Sequence, residues 1–283
     1  MLSLTLGGEV QRHFRAFMSG KDETGDYLPA NDNPFTVLAA YAVGDVELDP
    51  RFRMSLGVRY DRFAFEFAEP LGNVTRDSVN PRLAIVAKPY SNGITKLIAG
   101  RAFSAPTVYE IIKQSAVQDP SPDMSGELEH THLFGSAVSG TVAAYGNYVD
   151  DLIVGRGSGT TTDHTFLENS SSPVLVLGGE AEVRRDWRSG WMVAAQYSFS
   201  RARYLNNTED LRKVPNSPQH LAAIKGAVPI LGRTMMAMSR VTLEGGRYDR
   251  LETPGDPAQG HTDAGLIWDL VLSGELMNTK VRY

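Results

Sequence analysis

At 283 residues, with 42% hydrophobic and 22% charged side chains, a net charge of −5 and a dispersed set of Lys and Arg, the chain carries no nucleic-acid footprint. It has no cysteine, which removes disulfides, thiol catalysis and Cys-based zinc sites. No apolar run approaches the ~18 residues of a transmembrane helix, so a helical membrane protein is excluded; a membrane barrel, whose alternating strands average out in hydropathy, is not.

Twelve strand-like segments follow one another, at 2–17, 35–48, 51–66, 79–90, 94–104, 127–138, 140–154, 174–186, 190–204, 219–230, 233–246 and 262–276. VYEIIKQSAV (108–117) reads as a turn of helix within a loop. The connections alternate. Those at 18–34, 67–78, 105–126, 155–173, 205–218 and 247–261 are long and polar. Between them lie tight turns at Asp49-Pro50, Ser91-Asn92-Gly93, Ser139-Gly140, Trp187-Arg188-Ser189 and Leu231-Gly232. A soluble sandwich has no reason to gather its long loops at one end, whereas an up-and-down barrel in an outer membrane does.

The strands themselves alternate with period two. Met54, Leu56, Val58 and Tyr60 oppose Ser55, Gly57, Arg59 and Asp61. Trp191, Val193, Ala195, Tyr197 and Phe199 oppose Met192, Ala194, Gln196 and Ser198, and Leu266, Trp268, Leu270 and Leu272 oppose Gly265, Asp269 and Ser273. One face suits lipid or a core. The other, with Arg59, Asp61, Glu180, Glu182, Arg184 and Gln196, suits a wet lumen. Lys96 and Lys225 leave their strands ambiguous. Phe14, Phe17, Phe63, Phe65, Tyr90, Phe103, Tyr148, Trp187, Trp191 and Tyr204 stand near strand ends, as interfacial girdles would. His130 and His132 share a strand face and read as lumen-lining rather than as a metal pair.

The run from 80 to 110 carries a resemblance. Asn80-Pro81-Arg82-Leu83, then Lys88-Pro89, then Gly100-Arg101-Ala102-Phe103-Ser104-Ala105-Pro106 with Tyr109-Glu110 resembles a mid-barrel hairpin pattern of the TonB-dependent outer-membrane receptors. GVRYDRF (57–63), YVDDLIV (148–154), GGEAEV (178–183), VPNSPQHLA (214–222), LEGGRYDR (243–250) and GLIWDLVLSGEL (265–276) are similar to later fragments, in order. The resemblance implies an all-β, antiparallel up-and-down transmembrane β-barrel, with residues 1–283 forming about twelve of an expected 22 strands. It implies a Gram-negative outer membrane, contact with its lipid, and a small-molecule ligand of the siderophore, cobalamin or haem class. It also implies a TonB complex engaged through an N-terminal plug part. No plug, TonB box or signal peptide precedes Leu2, and Met277-Asn278-Thr279 resembles a turn before further strands; the expectation is a fragment covering the middle and later barrel.

Ligands of such receptors meet plug apices and extracellular loops. The loop residues Tyr27, Tyr109, Glu110, His164, Phe166, Tyr248 and Arg250 are the candidate ligand contacts, with Asp26 and Asp32 beside Tyr27. No cofactor is implied. GRGSGT (155–160) lacks the strand-to-helix context of a phosphate cradle, and no G-x-S-x-G elbow occurs, so no catalytic residue is assigned. The expected function is TonB-energised uptake of a scarce ligand, an iron–siderophore by default. An outer-membrane barrel enzyme, a passive porin-like channel and a soluble β-sandwich binding module stay open as alternatives.

Overall fold

The computed structural model describes residues 1–22, 25–69, 71–112, 119–156, 166–206, 214, 216–230, 234–248 and 262–274. The strands are β1 (Leu2–His13), β2 (Phe17–Asp22), β3 (Gly25–Asp32), β4 (Phe35–Asp49), β5 (Phe52–Glu66), β6 (Asn73–Tyr90), β7 (Gly93–Ser104), β8 (Ser121–Phe134), β9 (Val138–Val149), β10 (Ile153–Arg156), β11 (Phe166–Asn169), β12 (Val174–Asp186), β13 (Met192–Tyr204), β14 (His220–Ile230), β15 (Met235–Glu244) and β16 (Gly265–Gly274). One five-residue helix, α1, spans Val108–Ile112.

Twelve strands form a meander sheet in the order β1-β4-β5-β6-β7-β8-β9-β12-β13-β14-β15-β16. Each of the twelve segments read from the sequence overlaps one of these strands. The other four strands make two hairpins, β2 with β3 and β10 with β11, which begin in the last residues of the strands expected at 2–17 and 140–154 and run into the long connections expected at 18–34 and 155–173. In a meander successive connections fall at opposite ends of the strands, so the long ones share one end. This end is called the loop end below, and the other the turn end.

The two largest differences in where a strand starts are at β6 and β8. The strand expected at 79–90 begins at Asn73, because the polar run 73–78 still alternates, with Val74 and Ser78 buried. The connection before it shrinks to 67–72 and is closed by Gly72 at φ +61°. The strand expected at 127–138 begins at Ser121 and turns at 135–137, not at Ser139-Gly140. Gly135 takes φ +74°, a conformation that side chains with a Cβ resist. The expected turn at Trp187-Arg188-Ser189 is present, closed by Gly190 N–H donating to the Trp187 carbonyl at 2.9 Å.

The chain divides into two compact units. The first comprises Met1–Ile85, Ile98–Gly126 and Asn147–Val174. Here β1 pairs with β4 from Leu2↔Val46 to His13↔Phe35, and β4 with β5 from Phe35↔Phe65 to Asp49↔Phe52. This register puts Leu4, Leu6, Val10, Leu38, Leu56, Val58 and Tyr60 on one face and Glu9, Val37, Arg59, Asp61, Phe63 and Phe65 on the other. The core lies on the second face at the loop end. Phe65, Phe67, Val74 and Ile111 are buried together, with Phe35, Phe63, Val108 and Ile112 packed against them.

The second unit comprises Val86–Leu97, Glu127–Gly146 and Leu175–Tyr283. Its β13–β14 and β14–β15 pairings align Tyr197↔Ala222↔Leu243 and Ala195↔Ile224↔Val241 on one face. Gln196↔Ala223↔Thr242 and Ala194↔Lys225↔Arg240 align on the other. Asp269 faces Arg240, and Trp268 faces Val241.

Candidate functional site

Each unit presents a wall with two chemically opposed faces. On the apolar face, long side chains stand in solvent-accessible positions: Leu56 is 51% exposed and Ile224 63%. Among the described residues, eleven hydrophobics are buried and forty-two large ones exposed. Water would oppose that ratio, since each exposed aliphatic side chain forgoes roughly 1.5–3 kcal/mol of burial. Nothing among the described residues covers this face.

Rings mark the limits of the apolar face. At the turn end of the second unit, the Tyr90 hydroxyl lies 2.8 Å from His130 Nε2 and 3.0 Å from His132 Nδ1, and His132 meets the Phe134 ring at 4.4 Å. The Tyr90 ring covers Gly93, where a Cβ would come within 2.3 Å of it. His130 and His132 therefore lie on the apolar face, opposite Glu127 and Glu129; the lumen-lining expectation for them is corrected. At the loop end, Tyr197 Oη lies 2.7 Å from His220 Nδ1, and the Phe199 ring sits 5.4 Å from the same imidazole. Trp191, just before β13, and Phe199, on β13's apolar face, are eight residues apart, ~27 Å of extended chain, or about 20 Å along a membrane normal at a tilt near 40°. In the first unit, Phe52 and Tyr60 have the same spacing.

Not every end aromatic belongs to a girdle. Phe63, Phe65 and Phe103 turn away from the apolar face. Phe63 and Phe103 meet edge-on at 5.6 Å, and Phe65 stacks on Phe67 at 5.9 Å, within the core under α1. Alternation decided this: odd positions of β5 after Arg59 share the polar face.

The polar face is built from paired charges. Asp61 is only 3% exposed, and a carboxylate so buried needs partners. Arg59 Nε donates to it at 2.8 Å and Asn80 Nδ2 at 3.2 Å, while Arg59 Nη2 also donates to Glu9 at 3.1 Å. On the opposite, apolar face of the first unit, past Val10 toward the loop end, Arg12 bridges Glu66 at 2.6 Å. In the second unit, a cavity of about 200 Å³ is lined by Glu127, Glu129, Glu180, Glu182, Gln196 and Ser198. Lys96 reaches Glu129 at 2.7 Å and Lys225 reaches Glu182 at 3.6 Å. Both lysines that blurred the sequence pattern thus belong to the polar face.

The segment GRAFSAPTVYE ends at a fixed structure. Pro106 and Ile111 are completely buried. The Thr107 N–H donates to Glu110 Oε2 at 2.7 Å, and the Glu110 N–H donates to Thr107 Oγ1 at 3.2 Å, a capping box that closes the first turn of α1. Tyr109, on the same turn, is exposed. Glu110 is engaged by its own helix. Tyr27 lies on β3 and Phe166 opens β11 opposite Arg156. The Tyr248 carbonyl accepts from the Asn216 N–H at 2.7 Å, joining two loop-end segments of the second unit. Asp26 faces Lys21 across the β2–β3 hairpin, and Asp32 pairs with Arg15 at 3.2 Å. His164 and Arg250 lie outside the described residues. Tyr109 and Glu110 share one turn of α1, while Tyr27, Phe166 and Tyr248 lie on other segments. Where β9 ends, Asp151 adopts φ +49°, and burial, then Asp150 and Asp119, push its carboxyl above the usual carboxylate range.

Sequence reading missed Glu9, Asn80, Lys96 and Glu129 as members of the polar ladders. Their parity within each strand was readable, but the register that joins strands was not.

A family model described as TonB dependent receptor-like, beta-barrel matches residues 2–274. No protein of curated function matches. Among solved structures, the chain is similar to the copper transporter OprC at 17% identity and a TM-score of 0.74, covering 98% of this chain and 48% of that one. It is similar to the ferric yersiniabactin uptake receptor FyuA from Yersinia pestis at 18% identity and 0.68, covering 96% and 44%. It is also similar to the FrpB iron transporter from Neisseria meningitidis (F3-3 variant) at 12% and 0.67, covering 87% and 39%. The chain thus spans less than half the length of these structures.

Proposed function

The chain belongs to the TonB-dependent receptor β-barrel family, and from that premise we propose that it forms part of the wall of an outer-membrane receptor that takes up a scarce small molecule by TonB-driven transport, an iron–siderophore chelate in the first instance. The observation that carries this is the two-faced wall: an uncovered apolar face bounded by rings at both ends, backed by a face of ion pairs. The apolar face suits acyl chains, and the charged ladders suit water and a polar solute passing along the lumen. Solved structures of this fold include an iron transporter, a siderophore receptor and a copper transporter, which support the ligand class without selecting one.

At the loop end, Tyr109 is the candidate that α1 holds rigidly, so it heads the proposed ligand contacts. Tyr27, His164, Phe166, Tyr248 and Arg250 follow, from the connections expected at 18–34, 155–173 and 247–261. Glu110 contributes by fixing the turn that carries Tyr109.

The test is growth of an iron-restricted strain that depends on the encoded protein, supplied with a panel of ferric chelates, haem, cobalamin and copper. Rescue by one ferric chelate, lost when the TonB complex is removed, is expected. Rescue that persists without the TonB complex would replace active transport with passive passage.

A further inference from the structure

The apolar face of the second unit has a charge asymmetry that transport does not use. Every described strand carboxylate of this unit, namely Glu127, Glu129, Glu180, Glu182, Asp186, Glu244 and Asp269, falls on the polar face by strand parity and register. The apolar face carries Arg185, Arg201 and Arg203 and, among the described residues, no carboxylate. On β13 exposure alternates strictly, so Arg201 and Arg203 continue the row Val193, Tyr197, Phe199 past its aromatic limit. Neither arginine forms an ion pair with a described residue. Arg201 lies ~7 Å beyond Phe199 along the strand, where acyl chains would give way to headgroups.

Two guanidiniums with no ion-pair partner among the described residues, above a ring of Tyr197, Phe199 and His220, fit an anion presented by the lipid itself. The guanidinium fork matches phosphate oxygens, and the apolar row below gives the same molecule's acyl chains a surface. Resting on the reading that this face meets lipid, we propose that Arg201 and Arg203 form a binding site for the phosphate of a membrane lipid headgroup at the loop-end rim.

The test uses the full-length protein purified in a neutral detergent, titrated with a phosphorylated disaccharide glycolipid and with its enzymatically dephosphorylated form, and followed by native mass spectrometry and thermal unfolding. The phosphorylated lipid is expected to bind and raise Tm. Arg201→Gln/Arg203→Gln should weaken it roughly thirty-fold, about five-fold for each arginine, and Arg201→Lys/Arg203→Lys should retain most of it. Arg188→Gln, which removes one positive charge from the turn end, should leave binding unchanged. High salt should weaken the wild-type effect. Equal binding of the two lipid forms, or equal loss in the Arg188 variant, would overturn the site while leaving the membrane reading intact. A protein that stays in solution without detergent would remove the membrane reading itself.

Discussion

Thr107 and Glu110 close a reciprocal pair of hydrogen bonds, at 2.7 and 3.2 Å, around the first turn of α1. That pair makes the segment after Phe103 a fixed element rather than a free loop. Glu110→Ala removes the acceptor and costs about 1 kcal/mol locally. Glu110→Gln keeps a side chain that suits the same role. Hydrogen exchange at the Thr107 and Ile111 amides should quicken roughly five-fold in Glu110→Ala and little in Glu110→Gln. Equal rates in the two variants would detach the helix from this cap.

Ile111 anchors the same helix from below. It is 2% exposed among Phe65, Phe67 and Val74. Ile111→Ala should cost about 2–5 kcal/mol of the helix's docking. Limited proteolysis should then cut between Thr107 and Ile112 while the strands stay protected. A variant as resistant as the parent would mean the helix is held elsewhere.

Three glycines sit under tyrosine rings, and they differ in a way that mutation can read. At Gly7 the three atoms nearest to an added Cβ all belong to the Tyr41 side chain. A Cβ at Gly178 would meet Tyr145 at 2.3 Å and also the Phe199 carbonyl at 2.7 Å. Tyr41→Ala should therefore rescue most of the stability lost in Gly7→Ala, whereas Tyr145→Ala should leave Gly178→Ala impaired. A double-mutant cycle in thermal unfolding checks both; equal rescue at the two sites contradicts the backbone contact.

Asp151 combines a left-handed backbone with a carboxyl whose folded pKa is raised above its ordinary 3.8 by burial and by Asp150 and Asp119. The folded state then binds the proton more tightly than the unfolded one, so this group's contribution falls as pH rises from the ordinary value through the raised one. Asp151→Asn removes the charge and keeps a residue tolerant of positive φ. Its Tm should exceed the parent's at pH 7, with the gain shrinking toward pH 4. A gain independent of pH would assign the effect to the backbone alone.

The strands were legible because period-two alternation is local: Met192 to Phe199 shows its two faces without reference to any neighbour. The meander followed from the alternation of long and short connections. What joined strands was not legible. Glu9, Arg59, Asp61 and Asn80 come together only through the register of β1, β4, β5 and β6. His130 and His132 were placed on the wrong face because their partners, Tyr90 and Thr95, lie on other strands. The cap was written in the sequence as Thr-Val-Tyr-Glu directly after Pro106, but the proline obscured it by reading as a loop. The candidate ligand residues came from loop membership and resemblance, which carry no geometry.

The central claim is that the apolar face meets lipid, and Ile224 tests it most directly. It is 63% exposed near the middle of β14, between His220 and Ile230. In a membrane wall, Ile224→Lys costs about 2–4 kcal/mol at mid-depth, while Gln196→Lys, on the polar face beside Glu180 and Glu182, costs little. The amount of folded, heat-modifiable protein recovered from the outer membrane should fall sharply for Ile224→Lys and hold for Gln196→Lys. If Ile224→Lys instead assembles as well as the parent, or yields more protein in the aqueous fraction, that face meets water and the account is wrong.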